Sequence, residues 1–263
     1  MVMHRVSKQH FILRFGLYLC VLLYAFPASS QQDQGPRAAL IWHDFNDQNY
    51  QVMISEFDQQ IWSSPQIVAQ SDKPITTPAL AILEDQTLLA VWSQQAFGAV
   101  RLMSANRPEN SDTWSTAQVL RSDGAWNMNP NLIKDGSGDL WLFWSSSADG
   151  DTDIYVMKKS VGGAWGNVQR VHANNDVPDS KPQARLNETG NIQLEWFHLN
   201  EQARRYETVQ LEIEASSSEK AEVQELQTKQ EITQIKLPNF LPQNTSGVLL
   251  FKDNVFYQSK RID

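Results

Sequence analysis

The stretch Ser137–Val171, SGDLWLFWSSSADGDTDIYVMKKSVGGAWGNVQRV, decides the fold. An apolar run, Leu140–Trp144, ends in Trp-Ser, and a Gly/Asp loop follows it. Asp153–Met157 makes a second extended run, and a turn containing Gly162 leads to Trp165 and a further apolar run. The same landmarks recur on either side. Trp62, Trp114 and Trp165 open WSSPQIV, WSTAQVL and WGNVQRV at intervals of 52 and 51. Trp92, Trp144 and Trp196 end apolar runs at intervals of 52, and Pro78, Pro130 and Pro182 share that spacing. Three landmarks with one period mark a repeat architecture.

Each unit reads as four short strands. The first follows the proline, at Ala79–Leu83, Asn131–Lys134 and Gln183–Asn187. A turn comes next, at Glu84-Asp85-Gln86, Asp135–Gly138 and Asn187–Gly190, where Asp, Asn and Gly suit a hairpin. The second strand is Leu88–Trp92, Leu140–Trp144 or Ile192–Trp196. The third is Ala99–Met103, Asp153–Met157 or Tyr206–Gln210, and the fourth begins at the tryptophan of the WSxxQ motif. Second strands such as LWLFW are continuous rather than alternating, which belongs to sheets covered on both faces. The prediction is an all-β chain, a β-propeller of four-stranded blades repeating near 52 residues. A flat sandwich is the alternative, but it requires no strict period.

The regular repeats span 38–200. Ala39–Trp42, Tyr50–Ser55 and Gln60–Val68 match second, third and fourth strands, so the N-terminal unit lacks its own first strand. Beyond Asn200 the repeat decays over 201–263. Val223 and Leu226 sit in a Ser/Glu/Lys/Gln-rich stretch, and Leu237–Leu241, Gly247–Phe251 and Val255–Lys260 read as late strands. Five blades are expected, with four, or a truncated larger propeller, as the other counts.

The order of features in Ser137–Val171 resembles repeats of the sialidase superfamily, the BNR or Asp-box proteins, and the resemblance covers Ala38 to Trp196. It implies blades whose third and fourth strands are joined by a Ser-x-Asp-x-Gly-x-x-Trp turn. Here those turns are degenerate. Before Trp165 the serine, aspartate and glycine places hold Lys158, Ser160 and Gly162; before Trp114 they hold Arg107, Glu109 and Ser111. Before Trp62 they hold Ser55, Phe57 and Gln59. Members that are active sialidases hold a carboxylate with three arginines and use a Tyr–Glu nucleophile with an aspartate acid/base. Arg101, Arg121, Arg170, Arg185, Arg204 and Arg205 stand in no such motif, and the family's Arg-Ile-Pro signature is absent. No catalytic residue is therefore carried over.

Residues 1–30 run from basic Arg5 and Lys8 through apolar Phe15–Phe26 to Pro27 and the small residues Ala28, Ser29 and Ser30. That is the order of a signal peptide, leaving 31–263 as one domain, secreted or periplasmic. An uncleaved anchor is the competing reading; after cleavage no integral membrane span is expected. Cys20, the only cysteine, lies in this segment, so no disulfide framework is expected in the remainder. Without Arg5, Lys8 and Arg14 the chain has 19 basic and 30 acidic residues, a net charge of −11. That balance argues against nucleic acid and anionic membranes as partners.

Residues that break the repeat's own pattern point to function. Arg185 stands where Ala81 and Ile133 stand, and Gln193 replaces Leu89 and Trp141. Glu195 replaces Ile41, Val91 and Phe143, and Gln183 replaces Ala79 and Asn131. If the hairpin pairs Arg185 with Gln193 and Gln183 with Glu195, all four share one face. That face is either a polar groove for an acidic or hydroxyl-rich ligand, or a solvated face carrying an Arg185–Glu195 ion pair. Trp126, outside the repeating tryptophans, is a candidate for stacking on a sugar ring. Asp149, Asp151 and Asp153 alternate as in a calcium loop but lack its glycine and final glutamate, and His43, His172 and His198 show no metal-ligand spacing. No metal and no cofactor is expected. The leading expectation is a non-catalytic protein binding glycan or protein; a sialidase-type exo-glycosidase and an envelope scaffold are the alternatives.

Overall fold

A computed structural model describes residues 37–58, 61–215, 238, 241, 246–251 and 255–260. The expected signal peptide, the Val223–Leu226 strand and most of Leu237–Leu241 lie outside them. Every regular element among the described residues is a strand. Four antiparallel sheets follow one another along the chain.

The first holds β1 (Arg37–Asn46), β2 (Asn49–Asp58), β3 (Ile61–Trp62) and β4 (Gln66–Ser71). The second is β5 (Ile75–Ile82), β6 (Leu88–Ala96), β7 (Ala99–Arg107) and β8 (Gln118–Arg121). The third is β9 (Asn127–Lys134), β10 (Leu140–Ser146), β11 (Asp153–Lys159) and β12 (Gln169–Arg170). The fourth is β13 (Asp179–Leu186), β14 (Ile192–Asn200) and β15 (Arg205–Ile213). The late strands β16 (Ser246–Phe251) and β17 (Val255–Lys260) join the first sheet, β16 pairing with β1. The N-terminal unit thus receives from the far end of the chain the strand it lacks.

Side-chain alternation along each second strand builds the interfaces. Leu140, Leu142 and Trp144 pack towards the second sheet, while Trp141 and Phe143 pack towards the fourth. In β6, Leu88, Ala90 and Trp92 face the first sheet, and Leu89 and Val91 face the third. Burial on both faces is what a continuous apolar strand requires, each large side chain adding about 1.5–3 kcal/mol. Trp92 and Trp144 therefore each fill the interface with the preceding sheet. Trp196 follows the rule beside Ile192 and Leu194. Trp42, in the first sheet, packs among the described residues with Ala38, Leu40, Met53, Phe57, Trp62 and Leu241.

The first strands begin earlier than the prolines suggest. Each contains a bulge, between Thr76 and Ala79, next to Asn131, and between Ser180 and Gln183. Proline gives no amide to a ladder, so a bulge is where a strand can hold it. The residue before each proline is left-handed: Thr77 (φ 44°), Asn129 (54°) and Lys181 (55°). The following hairpin turns repeat as well. Asp135 Oδ1 accepts the amides of Ser137 and Asp139, and Asn187 Oδ1 accepts those of Thr189 and Asn191. Gln86, Gly138 and Gly190 take the positive φ these turns need.

At the three turns where the Ser-x-Asp-x-Gly-x-x-Trp pattern was expected, the residue at the serine place differs in what it contacts. Ser55 Oγ donates to Ser63 O at 2.7 Å. Where the serine is replaced, the residue is a cation whose side chain reaches other partners. Arg107 lies over Trp114 and pairs with Glu56 of the first sheet at 2.6 Å. Lys158 lies over Trp141 and pairs with Asp139 at 2.8 Å, which holds the Asp139 carboxyl below the usual carboxylate range.

Candidate functional site

A buried indole N–H needs an acceptor, and each repeat supplies a different one. Trp92 donates to Gln94 Oε1 at 3.3 Å, Trp144 to Asn127 Oδ1 at 2.9 Å, and Trp196 to Asp179 Oδ1 at 2.7 Å. Asn127 and Asp179 are the first residues of β9 and β13, where β5 has Ile75. The repeat position thus runs from apolar to neutral polar to charged. A wholly buried carboxylate needs more partners than an amide, and Asp179 has them. His198 Nδ1 meets its Oδ1 at 2.9 Å, and Asn175 Nδ2 donates to its Oδ2 at 2.8 Å.

A second buried carboxylate stands beside it. Asp153 opens β11, opposite Ser146, and receives Arg170 Nη1 on Oδ2 at 3.1 Å. Its Oδ1 accepts no hydrogen bond from the described residues. Burial pushes the Asp153 carboxyl above its ordinary value, Arg170 opposes this, and negative Asp151 reinforces it. His172, from the segment after β12, turns Nε2 towards both carboxylates, 3.3 Å from Asp179 Oδ2 and 3.8 Å from Asp153 Oδ1. Its Nδ1 lies 2.9 Å from Ala173 O; a carbonyl only accepts, so Nδ1 carries the proton. The imidazole stacks on Trp196 at 5.4 Å and 11°. His172 and His198, far apart in sequence and without metal-ligand spacing, converge on one aspartate. The aspartates of ADGDTDIY also part company: Asp149 is exposed and accepts the Tyr155 hydroxyl at 2.5 Å, while Asp153 is buried.

The four expected residues of the fourth sheet do share a face. Gln183 pairs with Glu195 and Arg185 with Gln193. Arg185 Nη2 meets Glu195 Oε1 at 2.7 Å, and its Nε donates to Gln193 Oε1 at 3.2 Å. Gln210, which the repeat comparison did not single out, completes the network. It donates to Glu195 Oε1 at 2.8 Å and accepts from Gln193 at 3.2 Å. The face is open to solvent, with the Arg185 side chain 58% exposed. Trp126 stands apart from it, 54% exposed, with Nε1 on Gly98 O at 3.2 Å and its amide on Ser147 Oγ at 3.0 Å. Its indole plane is thus fixed, and its ring remains accessible.

These features define an all-β, propeller-like protein with one polar sheet face and one buried carboxylate–imidazole cluster. No protein-family model and no curated protein sequence matches the chain. Among solved structures it is similar to an endo-arabinase from Bacteroides thetaiotaomicron VPI-5482, with 12% identity and a TM-score of 0.49 over 68% of this chain and 72% of that one. It is similar to the α-L-arabinofuranosidase PaAbf62A from Podospora anserina at 11% identity and a TM-score of 0.44, covering 73% and 71%. With the NanB sialidase from Streptococcus pneumoniae the values are 11% and 0.34, over 64% of this chain and 29% of that one. Likenesses of this degree support no statement about activity, and they do not single out sialidases.

Proposed function

We propose that this is an exported, propeller-like protein that binds a glycan or protein ligand without catalysis, on the outer face of the fourth sheet. One observation carries the reading. Glu195 replaces residues that are wholly buried in the other sheets, Ile41, Val91 and Phe143, and it lies in a solvent-facing network with Arg185, Gln193 and Gln210. Such a network offers charge and paired donors and acceptors to carboxyl- or hydroxyl-bearing ligands. Trp126 supplies a fixed aromatic surface for a second point of attachment.

The geometry speaks against sialidase-type chemistry. That chemistry gathers arginines on one anion, whereas Arg121, Arg170, Arg185 and Arg205 each hold a local carboxylate, on Asp123, Asp153, Glu195 and Glu207. Tyr155 is no activated nucleophile, because burial and the hydrogen bond to Asp149 push its phenol far above the ordinary value. Asp153 and Asp179 are spaced closely enough for a glycosidase pair, but both side chains are sealed from solvent.

The charge order of residues 1–30 supports export. The pairing of β16 with β1 supports a count of four blades over the five expected from the repeat, in an arrangement that leaves the far face of the fourth open. Incubation with a fluorogenic sialoside and a panel of other glycosides tests the absence of catalysis. No turnover is expected; turnover abolished by both Arg185→Ala and Glu195→Ala would make the polar face an active site.

A further inference from the structure

We propose that Asp153, His172 and Asp179 bind a divalent transition-metal cation that takes mixed nitrogen and oxygen ligands, zinc being the type case. One ligand atom from each residue lies within 4.8 Å of the others. The three come from separate segments: the start of β11, the link after β12, and the start of β13. A cation there ties the third sheet to the fourth.

The cluster is built like a ligand set. Asp153 is held at Oδ2 by Arg170, Asp179 at Oδ1 by Trp196 and His198, and His172 at Nδ1 by Ala173 O. The atoms that approach one another are Asp153 Oδ1, His172 Nε2 and Asp179 Oδ2, the last also accepting from Asn175. Neither Asp153 Oδ1 nor His172 Nε2 takes part in a hydrogen bond among the described residues, although the Asp153 side chain is wholly buried. An unpaired carboxylate oxygen at such a place costs free energy that a coordinated cation removes. Donation of the other ring nitrogen to a carbonyl is the usual outer-sphere support of a ligating histidine.

An imidazolium clamped between two carboxylates is the competing arrangement. Its charged hydrogen bonds run at about 2.7–2.9 Å, and the separations here are 3.3 and 3.8 Å. The imidazole nitrogen argues against calcium and magnesium, which take oxygen ligands, and two carboxylates with one imidazole suit zinc.

The test is calorimetric titration of the EDTA-stripped, dialysed protein with zinc chloride, alongside thermal unfolding. One zinc per chain is expected, with Tm rising by about 5–10 °C at a hundredfold excess over Kd. His172→Gln and the near-isosteric Asp153→Asn are each expected to weaken zinc at least a hundredfold, with the Tm measured in EDTA serving as the check on folding. No zinc uptake by the folded wild-type protein overturns the proposal. Uptake unchanged in both variants does so too, as does a Tm response to calcium but not to zinc.

Discussion

Trp196 donates its indole N–H to Asp179 Oδ1 at 2.7 Å, the bond that Trp144 makes to Asn127 one repeat earlier at 2.9 Å. The repeat conserves the hydrogen bond while changing the acceptor from amide to carboxylate. The charge then draws in His198 and Asn175, which an amide in the same place would not need.

Asp179→Ala strands the indole, the imidazole and the amide together, and a loss of about 2–4 kcal/mol is expected. Asp179→Asn keeps an acceptor for Trp196, as Asn127 does for Trp144, and is expected to lose less than half as much. Urea unfolding of the two variants measures the difference. Equal losses would mean that the indole bond contributes little.

Thr77 is β-branched and left-handed, at the place where the next repeat has Asn129. Asparagine visits that region more readily than threonine. Thr77→Asn is expected to stabilise the protein by about 0.5–1 kcal/mol. A midpoint that stays or falls in chemical denaturation counts against strain at the bulge.

His43 lies partly buried on β1, and burial lowers its pKa, with Asp44 opposing. The unfolded chain therefore binds a proton more readily than the folded one. This stability is fully present above the unfolded pKa of 6.5 and is lost as pH falls towards the lower folded value. Tm measured downwards from pH 7 is expected to fall less steeply in His43→Asn than in the wild type. Identical slopes would remove His43 from the acid response.

The period of 52 made the sheets legible, because tryptophans and prolines at fixed places reflect one packing rule used repeatedly. LWLFW told of burial on both faces, and Leu142 and Phe143 do point into different interfaces. The bulges were not legible, since proline marks them but reads as the residue before a strand. The Arg185–Glu195 face was legible because hairpin register follows from the turn at Asn187–Gly190. The cluster around Asp179 was not, since its members come from three segments. One signal was available: the series Ile75, Asn127, Asp179 breaks the repeat as sharply as Glu195 does.

Arg185 is exposed and Glu195 half-buried at the edge of solvent, so removing either is expected to change stability by only about 1 kcal/mol. The proposed binding face is thereby separable from the fold, and it is tested by glycan-array binding of the wild type, Arg185→Ala, Glu195→Ala and Trp126→Ala. The wild type is expected to retain carboxyl- or hydroxyl-rich glycans intact, the first two variants to lose at least tenfold in affinity, and Trp126→Ala to lose less. Retention unchanged in both Arg185→Ala and Glu195→Ala, or release of cleaved sugar by the wild type, would contradict it.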